Sequence, residues 1–420
     1  MDPEHFLRSL FDCAVDSVSP RSVLPPHLPS PPKGRTVLLA VGKAATAMAD
    51  VVATHWQGPL TGIAVTRYGH ALPDLGRHRN IEVIEAGHPV PDENSVTAAR
   101  RALELADKLG EDDLALVLIS GGGSALWCLP IPGLSLGEKQ RITSSLLRAG
   151  ASIREINTVR KTLSRIKGGK LAQAAAPARI ETLIISDVVG DDPATIASGP
   201  TVEQRQRSED VDEVLRKYRI ELPAGMLNAI DKESSGRKPS PIVLRGDNRA
   251  RIIASSADAL AAAAEAARSA DYDVRMLGDA IEGDAREAAA LHAAIARQAA
   301  RSGKRTVILS GGEVTAAVRS DTGIGGPNSE FLLALAIELA GAAGIHAIAC
   351  DTDGYDGVGT NAGAVCGPDT LQRAKEIGID PVHALAASDS ARFFEALEDL
   401  VITGPTQTNV SDFRAILVNV

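Results

Sequence analysis

Cysteine is scarce in this chain, and the four that occur, Cys13, Cys128, Cys350 and Cys366, stand apart with no C-x-x-C pair and no Cys/His cluster. That scatter speaks against a zinc site and a disulfide framework, and it fits a reducing compartment. A run of about 18 apolar residues is missing as well, so no transmembrane helix and no membrane partner is expected. The opening residues, MDPEHFLRSLFDCAVDSV, have the spacing of an amphipathic helix with mixed charge. They lack the basic start, continuous apolar stretch and small-residue cleavage site of a secretory leader, so the chain reads as cytoplasmic. Basic excess is lacking too: 44 Lys and Arg stand against 53 Asp and Glu, a formal net charge of -9. An acidic surface repels polyphosphate backbones and disfavours nucleic acid, while small anions stay compatible with a local basic pocket.

What is present is an alternation of short apolar runs and longer Ala/Leu/Glu-rich helical runs in 420 residues. TVLLAVG from Thr36, GIAVT from Gly62, LALVLISGG from Leu114 and TLIISD from Thr182 read as buried parallel strands. Helices are expected after Lys43, from Glu93 to a stop at Gly110, and after Leu136. The Pro/Gly/Ser/Lys-rich segment from Arg219 to Ser240 marks the expected boundary between two α/β domains, 1–240 and 241–420, with a cleft between them. Beyond it PIVLRGDN reads as strand and turn, and the Ala-rich stretch around Leu260 keeps a helical stripe at Leu260, Ala264 and Ala267. TVILSGGE then reads as a strand, SEFLLALAIELAGAAG as a helix and HAIACDTDG as strand and loop.

In open α/β sheets ligands bind beyond the carboxyl ends of the strands. Lys43 follows the first strand at a helix start, where it would place a point charge on a phosphoryl group or carboxylate. The loop is not a Walker A motif, because Val37 stands where a glycine is needed. Ser120, Gly121, Gly122, Gly123 and Ser124 can turn several backbone N–H groups onto one oxyanion, and Ser310, Gly311 and Gly312 offer a second, less enriched version. Asp187, Asp191 and Asp192 follow a strand, where a carboxylate can take a hydroxyl proton or hold Mg²⁺; Asp187 is assigned to the site, and at least one of Asp191 and Asp192 is expected to cap the next helix. In the basic stretch NTVRKTLSRIKGGKLA, Arg160 is the candidate for a bidentate grip on carboxylate or phosphate, and Lys167 and Lys170 are expected on a solvated helix face. Asp351–Gly357 contains Asp353, which suits either magnesium contact or a backbone turn and fails the EF-hand spacing. Thr403–Val410 collects hydroxyls and amides, as a ligand loop or as hydrogen-bonded turns.

Taken in order, these loops resemble the class II glycerate kinases, the MOFRL-containing family whose members are sometimes labelled hydroxypyruvate reductase. VGKAA at Lys43, GHPVPDENS from Gly87, LISGGGSAL from Leu118, NTVRKTLSRIKGGKLA from Asn157 and SDVVGDDPATIASGPT from Ser186 carry the resemblance in the first half. TVILSGGE, DTDGYDG and TGPTQTNV carry it in the second. The resemblance implies a Rossmann-like N-terminal domain, a smaller C-terminal α/β domain, ATP with Mg²⁺ and a 2-phosphoglycerate product. It also brings in His88, Asn94, Asn328 and Glu330 as substrate or cleft residues, and Lys43 as a catalytic or phosphate-binding lysine. Pro327 replaces an arginine common in relatives, Val189 replaces a proline, and Gln407 stands where a glycine is usual, so an altered loop is expected at Gln407.

The expected reaction is transfer of the ATP γ-phosphoryl group to the 2-hydroxyl of D-glycerate at the interdomain cleft, a glycerate 2-kinase activity using an alcohol group as acceptor. The Ser-Gly-Gly-Gly-Ser amides and Mg²⁺, with Asp191 and Asp353 as candidate ligands, would hold the phosphates. Lys43 would stabilise the transferred group, Arg160 would grip the carboxylate, and Asp187 would orient or deprotonate the hydroxyl. The alternative is an NAD(P)H-dependent hydroxypyruvate reductase, against which no G-x-G-x-x-G follows a strand. A further rival is a non-catalytic sensor, for which carboxylates at several strand ends are more than anion binding requires. A homodimer is compatible with the sequence and not required by it.

Overall fold

The computed structural model describes residues 2–73, 75, 80–202, 208–222, 226, 249–316, 323–357 and 359–419. The chain divides into two compact units, one made of Val23–Ser186 and Asp191–Ile253, the other of Met1–Ser22, Asp187–Gly190 and Ala254–Val420. The boundary expected at 240/241 and the segment PIVLRGDN lie outside the described residues.

The first unit holds strands β1 (Thr36–Val41), β2 (Leu60–Arg67), β3 (Ile81–Ala86), β4 (Leu114–Ile119), β5 (Arg179–Ile185) and β6 (Arg249–Ala254) in the order β3-β2-β1-β4-β5-β6. β1 pairs in parallel with β2 and β4, β2 with β3 and β4 with β5, as continuous apolar strands between helices require. β1 and β4 are buried at every position. β3 carries Glu82 and Glu85, which interrupt its apolar pattern and hide it in the sequence.

Three helices of this unit begin at well-made caps. Asp92 accepts from Ser95 N–H at the start of Glu93–Ala106, which ends four residues before the expected stop at Gly110. Ser135 with Glu138 and Ser152 with Glu155 form capping boxes for Leu136–Arg148 and Ile153–Thr162, each cap contributing about 1 kcal/mol. These two helices bury Ile142, Leu146, Ile156 and Val159 against Val211, Val214 and Leu215 of Ser208–Lys217. This small core sets the orientation of the basic residues described below.

In the second unit β7 (Asp273–Gly278), β9 (Thr306–Gly312), β11 (Ile345–Asp351), β12 (Gly363–Cys366), β13 (Leu400–Val401) and β14 (Asp412–Val418) form a mixed sheet ordered β13-β12-β11-β14-β9-β7, and β8 (Gly283–Asp284) pairs with β10 (Val314–Thr315). Only β7 and β9 run parallel in the larger sheet, while β14 lies antiparallel between β9 and β11. Helices Ala285–Ala300 and Pro327–Leu339 bury Ala289, Ala293, Phe331 and Leu335 against it. The amphipathic N-terminal helix, Pro3–Ser17, packs in this unit: Phe6 stacks on Tyr272 with ring centres 5.0 Å apart, and Phe11 meets Phe413 at 5.8 Å. Helix Ser256–Ser269 buries Leu260, Ala264 and Ala267, as their spacing predicts.

Candidate active site

Lys43 stands between β1 and helix Ala45–His55. Gly42 turns the chain there at φ +125°, and a Cβ at Gly42 would lie 2.2 Å from Ser120 Oγ, so a side chain would force the β1 and β4 loops apart. Their backbones are joined instead. Lys43 N–H donates to the Gly121 carbonyl at 2.9 Å, and Ala44 N–H donates to Ser120 Oγ at 3.0 Å. The lysine, half-buried, is therefore fixed beside the glycine run.

The glycine run owes part of its composition to packing. Gly122 takes φ +82°, and a Cβ on it would sit 2.8 Å from His88 Nε2. His88 is thus held over the loop. Ser120 is fully buried, its hydroxyl engaged by Ala44 N–H. Asn94 ties two neighbours together, donating to the Tyr68 hydroxyl at 3.1 Å and the Glu85 carbonyl at 2.9 Å.

Ser124, half-buried, is where the basic stretch converges. Its hydroxyl accepts from Arg160 at 2.5 Å and from Lys167 Nζ at 3.0 Å, and lies 2.9 Å from Ser198 Oγ. Lys167 Nζ also donates to the Ser124 carbonyl at 2.7 Å. Lys167 is 1 % exposed, so the expected solvated face is corrected: burial, then Arg160 and Lys139, push this ammonium well below the usual lysine range. Lys170 is no free surface lysine either, because its ammonium caps the carbonyls of Lys161, Thr162 and Ser164 at the end of Ile153–Thr162. Lys161 donates to the Ala194 carbonyl at 2.8 Å and is pushed down by burial to about 8. Burial also lowers Arg160.

Lys139 was not singled out from the sequence, yet it is buried and points its ammonium to the same region, with the Cys128 thiol as neighbour. The signal was there: Lys139 precedes Ile142 and Leu146 by three and seven residues, on the stripe that its helix buries.

Of the acidic loop after β5, Asp192 closes a turn, accepting from Ala194 N–H at 3.0 Å and from the Thr195 hydroxyl at 2.7 Å; the helix cap expected in this loop is not made, because the short helix Ile196–Ser198 has no side-chain cap. Asp191 is half-buried at φ +50°. Asp187 belongs to the second unit, where Asn409 Nδ2 donates to its Oδ2 at 2.9 Å and Ser411 Oγ to its carbonyl at 2.6 Å. The TGPTQTN loop is otherwise occupied with itself and its surroundings: the Thr406 hydroxyl donates to the Thr352 carbonyl at 2.5 Å and the Thr408 hydroxyl to that of Val18 at 2.8 Å. Gln407 takes φ +64°. The side chain therefore stands in the left-handed region that glycine adopts more readily.

Ser310, Gly311 and Gly312 are the last residues of β9 and pair with Arg414, Phe413 and Asp412. Ser310 Oγ lies 2.9 Å from His292 Nε2, whose pKa burial lowers to about 4. Asn328 donates from Nδ2 to Asp412 at 2.6 Å, and Glu330 pairs with Arg286 at 2.7 Å, both inside the unit. Pro327 is at the first position of its helix, where a missing N–H costs nothing. In DTDGYDG, Asp353 Oδ1 accepts from Tyr355 N–H at 2.7 Å, and Asp356 accepts from Asn328 and Ser329 N–H, both at 2.8 Å, capping the same helix. Burial raises the Asp356 carboxyl to about 6 despite those bonds. Asp412 is raised by burial too, with Arg414 opposing.

Among the described residues no group of three or more His, Cys, Asp or Glu is arranged to hold a metal, and no helix is long and apolar enough to cross a membrane.

Residues 6–231 match the family described as a domain of unknown function, DUF4147, and residues 306–412 match the MOFRL family. A putative hydroxypyruvate reductase of Agrobacterium vitis is 48% identical over 98% of this chain and 94% of its own length. The D-glycerate 2-kinase of Thermotoga maritima is 37% identical over 98% of both chains. A crystal structure of glycerate kinase from Thermotoga maritima superposes with a TM-score of 0.86 at 35% identity, covering 99% of each chain.

Proposed function

The chain belongs to the glycerate kinase family that joins a DUF4147 region to a MOFRL domain, and from that premise we propose that it transfers the γ-phosphoryl group of ATP to the 2-hydroxyl of D-glycerate, giving 2-phosphoglycerate and ADP. The observation that carries this reading is the junction of Lys43 with the glycine run, where the Lys43–Gly121 and Ala44–Ser120 bonds hold a lysine beside a loop able to face an anion. The choice of position 2 is supported by the names of the relatives.

Phosphoryl transfer asks a protein mainly to position groups and neutralise charge. In this proposal Lys43 stabilises the transferred group, and the N–H groups of Gly121 and Gly122 donate to phosphate oxygens, while that of Gly123 donates to the Ser120 carbonyl. Arg160 holds the carboxylate of glycerate next to Ser124, while Asp187, aimed by Asn409, orients the attacking hydroxyl and accepts its proton. Mg²⁺ is suited to a site that offers one or two carboxylates and leaves the remaining positions to phosphate oxygens and water. Asp191 and Asp353 are the residues proposed to contribute to it, and the ion would supply charge neutralisation on the nucleotide. The four cysteines are free, which supports a reducing, cytoplasmic setting.

The reductase names among relatives define the competing reading. The turn after β1 reads Gly42-Lys43-Ala44 in place of a dinucleotide fingerprint, which favours the kinase. Purified protein mixed with D-glycerate, ATP and Mg²⁺ and followed by phosphorus NMR is expected to form 2-phosphoglycerate. Formation of 3-phosphoglycerate would overturn the position. Loss of NADH with hydroxypyruvate, in the absence of phosphorylation, would overturn the kinase.

A further inference from the structure

Three basic side chains, Lys139, Arg160 and Lys167, gather around the segment Ser124–Cys128, with Lys161 within electrostatic reach of Lys167; the three lysines are nearly inaccessible, at 5 %, 4 % and 1 % exposure for Lys139, Lys161 and Lys167. Buried cations are ordinarily paired, because removing an ammonium from water is costly unless an anion or several acceptors replace the solvent. Lys161 meets that rule, with the Ala194 carbonyl as acceptor and Asp192 as the nearest opposing charge.

The other three do not. Among the described residues Lys167 has the carbonyl and hydroxyl of Ser124 as its acceptors. Arg160 reaches the same hydroxyl. Among the described residues Lys139 Nζ has no nitrogen or oxygen partner. Arg160, Lys139 and Lys161 bear on Lys167 repulsively, and the Cys128 thiol acts in its favour. For Arg160 and Lys139 too, the favourable neighbour is Cys128. Hydroxyl oxygens add two more ligand groups, Ser124 and Ser198, placed 2.9 Å apart.

Two of these residues sit on helices that are packed together. Lys139 and Arg160 stand on the two capped helices that share a core through Ile142, Leu146, Ile156 and Val159. Removing positive charge would relieve the repulsion, yet the fold retains it, and Ser124 and Arg160 keep partial access to solvent. We infer that Lys139 and Lys167, with Arg160 and the Ser124 hydroxyl, form a preorganised oxyanion site that binds the carboxylate or phosphate of a small anionic ligand. Identifying that ligand with the glycerate substrate or its phosphorylated product rests on the function proposed above; the existence of the site does not. Arginine supplies the planar grip and the two lysines supply point charge, which suits one compact oxyanion and not an extended polyanion.

The test is thermal unfolding of the full chain in chloride, inorganic phosphate or D-glycerate at matched ionic strength. The native protein should be stabilised by phosphate, glycerate or both over chloride. Lys139→Met fills the same space without charge, so it should raise the melting temperature in chloride by roughly 2–4 °C and weaken the response to anion at least tenfold. Lys139→Gln and Lys167→Met give the same readout should the first variant fail to fold. Stabilisation by phosphate alone assigns a phosphate group, and by glycerate alone a carboxylate. A native protein indifferent to both anions, or folded variants that respond as the native chain does, would overturn the site. Loss of the response in the variants of a protein that does not phosphorylate glycerate would leave the site standing and remove the kinase. Glycerate phosphorylation with the response intact in every variant would do the reverse.

Discussion

Asn409 Nδ2 donates a 2.9 Å hydrogen bond to Asp187 Oδ2 across 222 residues of chain. Ser411 Oγ holds the Asp187 carbonyl at 2.6 Å, so one residue aims the carboxylate and another pins its backbone. Asp187→Asn should therefore lower kcat by about 10²–10⁴-fold, the range for losing a general base, with little change in melting temperature. Asn409→Ala keeps the carboxylate and frees its orientation, for which a fall of roughly tenfold is expected. Steady-state kinetics of both variants decide the assignment, and unchanged turnover in Asp187→Asn would remove it from the chemistry.

Lys43 can be cut back cleanly. Its position is set by main-chain bonds, Lys43 N–H to Gly121 and Ala44 N–H to Ser120 Oγ, which do not involve its side chain. Lys43→Ala should keep the native melting temperature within about 2 °C, as for a half-buried side chain outside the core. Turnover should fall about 10²–10³-fold, the usual loss on removing one group that stabilises developing charge. A variant that unfolds early would make Lys43 structural instead.

Gln407 sits at φ +64°, where a side chain costs about 1 kcal/mol or more relative to glycine. Gln407→Gly relieves that strain and gives back part of the gain as unfolded-chain entropy. Chemical denaturation should show a net gain of up to about 1 kcal/mol. A loss would mean that the Gln407 side chain makes contacts worth more than the strain.

Much of this architecture could be read from the sequence where one force dominates. The unbroken apolar runs of β1 and β4 betray a covered parallel sheet, and the Ser-x-x-Glu boxes at Ser135 and Ser152 mark helix starts. Long-range pairing is less visible. Ser310–Gly312 reads as a strand end with a phosphate-loop composition, and nothing in it names β14 as the partner that lies against it, because a glycine in a strand leaves no local trace of its partner. The burial of Lys167 was hidden for a similar reason: a lysine beside two glycines reads as surface until the Ser124 loop is folded over it. Lys139 was legible in principle from its place on an apolar stripe, and was masked by the habit of reading lysines as solvated.

Asp356 links the acidic loop to stability and makes a prediction with a definite sign. Burial holds its carboxyl at about 6, above the ordinary 3.8, although it caps helix Pro327–Leu339 through two amides. Between those values the folded chain binds more protons at this site than the unfolded chain does, so unfolding free energy falls as pH rises. The contribution is complete below about pH 4 and lost by about pH 6, amounting to roughly 3 kcal/mol at 1.36 kcal/mol per pH unit. Asp356→Asn cannot ionise and should show a flatter stability profile across that window than the native chain. It should also be less stable at pH 4 by about 1–3 kcal/mol, because an amide side chain offers one acceptor where the carboxyl group serves two N–H donors. Denaturation curves of both proteins at half-unit steps from pH 4 to 7 measure the difference, and parallel profiles would mean that Asp356 stays ionised throughout and draws its stability from the two helix amides.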